Sequence, residues 1–321
     1  MTSRACSFHD LQPTTSSLRE DVLRGLARSP KALPPKYFYD ARGSALFERI
    51  CTLPEYYPTR TEMDIMRASV HDMALRLGPR CALIEYGSGS GLKTRVLLEA
   101  LKPVAYLPID ISADQLKAAA GEVAREFPDI EVVAVCADYS EPLDIAALKH
   151  VSAARRAVYF SGSTIGNFTP EEAHVFLDRA RALVGHAGAM LVGVDLQKQP
   201  ALLHAAYNDA QGVTAEFNLN FLRRLNRELG ADFDMAAWSH RAFYDEKLGR
   251  IEMHLVSARA QRVTIGGQHF HFRAGETIHT ENSYKYTVEG FQALASSAGF
   301  SPEMYWTDPN RHFCVHYLVA R

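Results

Sequence analysis

The sequence predicts an α/β fold: a doubly wound, mostly parallel sheet interrupted by an inserted α+β domain. Two observations predict it. From about residue 80 to 195, short apolar runs alternate with amphipathic helical patterns, and after Asp195 that alternation stops until about residue 287. The apolar runs are continuous, as expected of parallel strands covered on both faces and joined by crossovers of fixed hand.

The elements follow in order. A first helix is expected near 16–28, where Leu18, Val22 and Leu26 recur every four residues. The stretch SPKALPPKYFYD (29–40) breaks it with three prolines and brings a cluster of aromatics, and LPEYYPTR (53–60) repeats that style. Thr59 and Glu62 then read as a capping-box pair ahead of the helical face Met66, Val70, Met73 and Leu77. Strands are expected at 81–86, 104–109, 130–136, 156–160 and 188–194, with helices near 92–101, 112–127, 142–150 and 170–184. The last helix is the best marked, with Thr169 as N-cap, Pro170 in the first position and Glu172 completing a capping box. Residues 200–228 read as helices broken near Gly212, and 250–272 as antiparallel strands with a hairpin at Gly266–Gly267. A helix at 287–298, stopped by Gly299, and strands near 303–307 and 313–320 complete the chain. Residues 61–196 and 287–321 are thus expected to form the sheet domain. Residues 1–60 and 197–286 form the inserted substrate-binding domain, since neither piece is large enough to bury a core alone.

Composition narrows the partners. A net charge of −2 with no basic block argues against nucleic acid. The five cysteines are scattered and never form C-x-x-C, which suits reduced thiols in the cytoplasm better than a disulfide framework or a zinc site. The N-terminus MTSRACSFHD lacks an apolar signal core, and no run approaches a membrane span, so no membrane partner is expected. A cytoplasmic monomer acting on a small molecule is the expectation.

The loop IEYGSGSGLKTRVLL (84–98) bears on the ligand. A P-loop needs Lys directly after its last glycine, but Leu92 separates Gly91 from Lys93. A dinucleotide fingerprint needs a third glycine at position 92, again Leu. The remaining pattern, E-x-G-x-G-x-G from Glu85 to Gly91, suits either a tight turn or close backbone approach to a ligand without phosphate, such as S-adenosylmethionine. Ligands of open parallel sheets bind at the carboxyl ends of the strands, where the strand order switches. There Asp110, 23 residues after Gly87, suits a ribose diol. Asp138 could accept from an adenine amino group, and Tyr139 could lie against the ring. Any one acidic residue at such a tip could equally be a cap or a surface carboxylate; three successive tips favour the ligand. At the fourth tip, VYFSGSTIGNFTP, Asn167 is either a polar anchor or a turn residue. The pairs His269/His271 and His312/His316 lack carboxylate support, so no metal is expected. G-x-S-x-G is absent, which argues against a serine hydrolase.

The segments KYFYDARGSALFERI…LPEYYPTRTE, EYGSGSGLKTRVLL, FSGSTIGNFTP, AAYNDAQGVTAEFN and TENSYKY together resemble the histidine Nα-methyltransferases of ergothioneine biosynthesis, in order from about residue 18 to the C-terminus. The resemblance implies a class I methyltransferase-like fold. It also implies three successive methyl transfers from S-adenosylmethionine to the α-amino group of L-histidine, giving hercynine. By position it implies Gly87, Lys93, Asp110, Asp138 and Tyr139 as cofactor contacts. Tyr56, Asn167, Tyr207, Glu281 and Ser283 match histidine contacts, with Asn282 counted beside them, and Tyr39, Phe47 and Met253 line that pocket. Tyr39 and Asn167 are the residues expected closest to the reacting amine. Two positions depart from the family's usual pattern, Gly91 and Tyr139, both on the cofactor side. The alternatives are the same chemistry on another amino acid such as tryptophan, which has no use for a buried Glu281, or a catalytically silent binding module.

Overall fold

The computed structural model describes residues 6–11, 18–87, 91–139, 141–143 and 151–321. The chain divides into two compact units, one built from Met1–Thr14, Arg60–Leu196 and Tyr286–Arg321, the other from Thr15–Thr59 and Gln197–Lys285. The helix expected at 142–150 falls largely outside the described residues, as do Gly89 and residues 16–17.

In the first unit the continuous apolar runs form β3 (Cys81–Tyr86), β4 (Ala105–Asp110), β5 (Glu131–Cys136), β6 (Arg155–Phe160) and β7 (Ala189–Asp195). They pair in parallel in the order β5-β4-β3-β6-β7, so the strand order switches between β3 and β6. Beyond β7, β14 (Phe313–Ala320) and β13 (Phe300–Thr307) add antiparallel. The opposite edge carries a strand absent from the sequence expectation, β1 (Ser7–Asp10), parallel to β5. Its four residues, SFHD, show no strand pattern; backbone bonding to the open edge of β5 holds it in the sheet rather than with the inserted segments.

Side-chain alternation along the strands feeds two cores. On one face Leu83, Tyr106 and Val132 pack with α3 (Tyr57–Leu77), α4 (Leu92–Leu101) and α5 (Ala113–Glu126) through Met66, Met73, Leu97, Leu98 and Leu116. On the other, Ile84, Leu107, Val158 and Val192 meet α6 (Pro170–Val184) and α9 (Val288–Ser297) through Phe176, Leu177, Phe291 and Ala295. Each such fully buried Leu or Phe contributes about 1.5–3 kcal/mol. The Thr169–Glu172 capping box forms as expected. The Thr59–Glu62 box does not: α3 already starts at Tyr57, with Pro58 in the first turn where a missing N–H is tolerated, so Glu62 lies inside the helix and is free for another use.

The second unit is built on a four-stranded sheet ordered β2-β12-β9-β8, from β2 (Lys31–Ala32), β8 (Trp238–Asp245), β9 (Arg250–Ser257) and β12 (Thr277–Tyr284). The hairpin β10 (Gln261–Ile265) and β11 (Gln268–Phe272) turns at Gly266–Gly267 as expected. Ile251, Met253, Leu255 and Ile278 point to one face and share a core with Phe38, Phe217, Phe221 and Leu225. That core also takes in α1 (Leu18–Ala27), α2 (Ala41–Thr52), α7 (Pro200–Tyr207) and α8 (Val213–Leu229). The helix α2 is missing from the sequence expectation, although Asp40 signals it: its carboxylate accepts from Gly43 N at 2.7 Å as an N-cap and from Asn220 Nδ2 of α8 at 2.8 Å.

One irregularity in this sheet matters for the site. His279 lies opposite His254, and Glu281 opposite Met253, so Thr280 is an extra residue in β12. Its hydroxyl lies 2.8 Å from Asn218 Oδ1 and 3.0 Å from the Met253 carbonyl. The bulge reverses the alternation. Without it Glu281 would share a face with His279; with it, Glu281 and Ser283 share the face of Met253 and Ile251.

Candidate active site

At the carboxyl end of β3 the chain enters the left-handed region at Gly87 (φ +68°), and a Cβ there would lie 3.8 Å from the Tyr139 ring. Tyr139 is itself fixed, stacked on Tyr86 at 5.4 Å between centroids and edge-on to Phe160 and Phe176. Burial, then the nearby Asp110 and Asp138 carboxylates, push its phenol above the ordinary range. Asp110 ends β4, with Oδ1 accepting from Ser112 N at 2.9 Å. Burial raises its carboxyl above the usual value, against the pull of backbone bonds from Ser112 and Ile111. Asp138 stands in the loop after β5. Glu85, the acidic member of the glycine pattern, is not at the tip. It is buried and accepts from the Thr94 and Tyr106 hydroxyls, which ties α4 to β4 beneath the loop. Burial pushes its carboxyl up to about 7, opposed by those hydroxyls.

Lys93 is held by the residue that sequence reasoning took for a helix cap. Glu62 is fully buried, and its Oε2 accepts from Lys93 Nζ and, at 2.9 Å, from Gly162 N. One carboxylate thus pins the helix after the glycine loop to the loop after β6. Close approach explains Gly193, where a Cβ would sit 2.3 Å from Glu62 Oε1. Asn167 ends a short 3-10 helix, Thr164–Asn167, in that loop. The left-handed backbone of the turn falls on Gly162 and Ser163, not on Asn167, so the turn itself makes no demand for asparagine. Its side-chain amide makes no hydrogen bond among the described residues and is only partly buried.

In the second unit the expected substrate residues other than Asn282 gather on one side of the sheet. Tyr39, Phe47, Tyr56 and Tyr207 form a run of edge-to-face rings with successive centroids 5.6, 6.3 and 6.3 Å apart. Tyr39 is the most open of them, 42% exposed. Burial raises the Tyr56 phenol well above its ordinary value, and the neighbouring Tyr207, Cys51, Glu281 and Tyr39 add to it. Beside this wall Glu281 and Ser283 leave β12 on the Met253 face. Burial pushes the Glu281 carboxyl up to about 7, although Lys285 pulls it down. Ser283 Oγ accepts from Tyr207 Oη at 2.7 Å and from Lys285 Nζ at 2.6 Å, and Lys285 Nζ also lies 3.2 Å from Tyr207 Oη. Lys285, only 3% exposed, had no place in the sequence expectation. The period-two offset from Ser283 was the signal that could have found it.

Asn282 is a correction. It lies between Glu281 and Ser283 in the ladder, opposite Glu252, so its side chain is on the other face of the sheet. That face carries Glu252, His254 and His279, the one group of His, Cys, Asp and Glu side chains among the described residues close enough to share a cation. The Glu252 carboxylate is already neutralised by Arg250 at 2.5 Å and hydrogen-bonded to His254 Nε2 at 2.8 Å, while His254 stacks between Phe243 and His279. These contacts account for the cluster as a packed ion pair. Of the other histidines considered, His316 is buried in a strand, and burial lowers its imidazole to about 4.

The family model of histidine-specific, S-adenosylmethionine-dependent methyltransferases matches residues 18–320. The chain belongs to that family. Over 99% of its length it is 41% identical to the full histidine N-alpha-methyltransferase of Mycolicibacterium smegmatis. It is 32% identical over 90% of its length to ergothioneine biosynthesis protein 1 of Neurospora crassa, matching 33% of that longer protein. A solved candidate methyltransferase from Thermobifida fusca, 11% identical, superposes with a TM-score of 0.50 over 92% of this chain and 97% of its own, a likeness of fold alone. The cofactor of the family is S-adenosylmethionine. The first unit fits it in two respects: Gly87 leaves the backbone at the β3 tip open, and the Asp110 carboxylate keeps acceptor capacity beyond its bond to Ser112. Among the described residues, no helix is long and apolar enough to cross a membrane.

Proposed function

We propose that the protein methylates the α-amino group of free L-histidine three times in succession, giving hercynine, the first step of ergothioneine biosynthesis. S-adenosylmethionine supplies each methyl group as a sulfonium substituent. In this proposal Asp110 takes the ribose hydroxyls, Asp138 and Tyr139 the adenine, and Gly87 and Lys93 the amino-acid end of the cofactor. Asn167 donates to the histidine carboxylate and so aims the amine, while Tyr207, whose single proton goes to Ser283, borders that end of the substrate. Glu281, Ser283 and Tyr56 take the imidazole, with Met253 and Phe47 as its apolar walls. Tyr39 is close to the amine, where water can carry the released proton past this exposed side chain. Little further chemistry is required of the protein, because holding a neutral amine in line with the methyl group can itself contribute about 7–11 kcal/mol.

The observation that carries the histidine assignment is the bulge-directed pair of Glu281 and Ser283 on the Met253 face. A partly dry carboxylate needs a donor, and an imidazole N–H supplies one, whereas an indole could not use the full polar set. We place the protein in the cytoplasm, in keeping with its scattered cysteines and the absence of any C-x-x-C pair, and as a monomer. The test is mass spectrometry of the purified protein with S-adenosylmethionine and each of the common amino acids. Histidine alone should gain three methyl groups; trimethylated tryptophan in its place would overturn the assignment.

A further inference from the structure

We infer that Lys285 is a positioning residue that sets the hydrogen-bond polarity of Ser283, so that the serine hydroxyl can act toward the substrate only as a donor. The inference rests on the histidine assignment and deepens it. It follows from counting protons and lone pairs. An ammonium group has donors and no acceptor, so Lys285 Nζ, 2.6 Å from Ser283 Oγ, occupies one lone pair of that oxygen. Tyr207 Oη lies 2.7 Å from the same oxygen and also receives a bond from Lys285 at 3.2 Å. With a lysine donating to both hydroxyls, the phenol, as the stronger acid, gives its proton to the serine. Both lone pairs of Ser283 Oγ are then filled, and its own proton has no acceptor within this triad.

The triad is built to persist. Lys285 is 3% exposed and Ser283 4%, and the lysine ammonium also sits 5.1 Å from the centre of the Tyr207 ring. A buried ammonium that gave up these acceptors would be costly, so the arrangement resists rotation of the serine. Glu281, on the same face of β12, supplies the opposite function, since its carboxylate is an acceptor. A fixed donor beside an acceptor matches a neutral imidazole, which offers one acceptor nitrogen and one N–H. It mismatches any ring that has only an N–H. Specificity for histidine then comes partly from a lysine that need not touch it.

The experiment compares methylation of L-histidine with that of its two pyrrole analogues, β-(pyrrol-2-yl)alanine and β-(pyrrol-3-yl)alanine, which keep an N–H and lack the acceptor nitrogen. The ratio of kcat/KM for histidine to that for the better pyrrole should be about tenfold or more in the wild type, the worth of one well-made polar contact. In Lys285→Met the serine can turn round and accept, and the ratio should fall by about fivefold or more, with S-adenosylmethionine affinity held within about twofold. Ser283→Ala should lower the same ratio. A loss of overall rate is what a merely structural lysine would give; a change in the ratio is not. If Lys285→Met does not fold, Tyr207→Phe removes the other donor to Ser283 and should shift the ratio in the same direction. A wild-type ratio near one, or a ratio unchanged in these variants, overturns the inference while the histidine assignment stands. A wild-type protein that leaves histidine unmethylated overturns both.

Discussion

Glu281 stands directly across from Met253 in the β9–β12 ladder, and it does so because Thr280 is bulged out between His279 and Glu281. The hydroxyl of Thr280 is what fastens the bulge, reaching Asn218 Oδ1 and the Met253 carbonyl. Thr280→Val keeps the shape and removes those bonds, leaving buried acceptors without their donor. The expected cost is about 1–3 kcal/mol of stability, read as a lower midpoint in urea with unchanged slope. The histidine KM should rise with it, because the bulge aims Glu281. An unchanged KM would separate the bulge from substrate binding.

Asp110→Ala should weaken S-adenosylmethionine binding by about 1.5–3 kcal/mol, the worth of hydrogen bonds to a charged group. Because burial raises the Asp110 carboxyl, binding in the wild type should begin to weaken on acidification at a higher pH than an ordinary aspartate would allow. Calorimetric titration across pH checks both, and an affinity indifferent to the substitution would remove Asp110 from the cofactor site.

Asn167→Ala should lower kcat/KM for histidine by about tenfold or more while thermal stability stays nearly the same. The basis is that its amide serves no hydrogen bond among the described residues and that the left-handed positions of its loop lie elsewhere. Calorimetric melting beside steady-state kinetics distinguishes the cases; a collapse of the melting temperature would mean that the side chain holds the loop.

Glu281 titrates where it can be observed. Its folded value, about 7, lies above that of an ordinary glutamate, so in the free protein the neutral form persists up to about that pH. The associated stability is fully present below the unfolded value and is lost as pH rises through about 7. Glu281→Gln cannot ionise, so its stability relative to the wild type should increase between pH 5 and 8. Histidine affinity should respond in the opposite sense. In the wild type it should rise as the carboxylate forms near pH 7, while Glu281→Gln should lose that component and keep only the part that follows the imidazole of histidine itself. Parallel profiles for the two proteins would show that Glu281 does not meet the imidazole.

The sequence by itself determined the layered sheet and most of its bounds, because buried parallel strands and capped helices leave local marks. Continuous apolar runs announce β3 to β7, and Thr169, Pro170 and Glu172 announce α6 to the residue. It also carried the catalogue of candidate side chains, through motifs such as TENSYKY and FSGSTIGNFTP. What only the tertiary structure decided is where those side chains point and what holds them. Period-two alternation counts residues, and it cannot register an extra one; the bulge at Thr280 exists because Asn218, 62 residues away, offers it an acceptor. Glu62 looked like a cap because Thr59 precedes it by three, yet its partners, Lys93 and Gly162, are 31 and 100 residues distant. Ser283, Tyr207 and Lys285 likewise become one hydrogen-bonded group only when α7 is packed against the sheet. Local chemistry fixes which elements form, whereas the polarity of a buried site depends on partners that folding alone brings within hydrogen-bond distance.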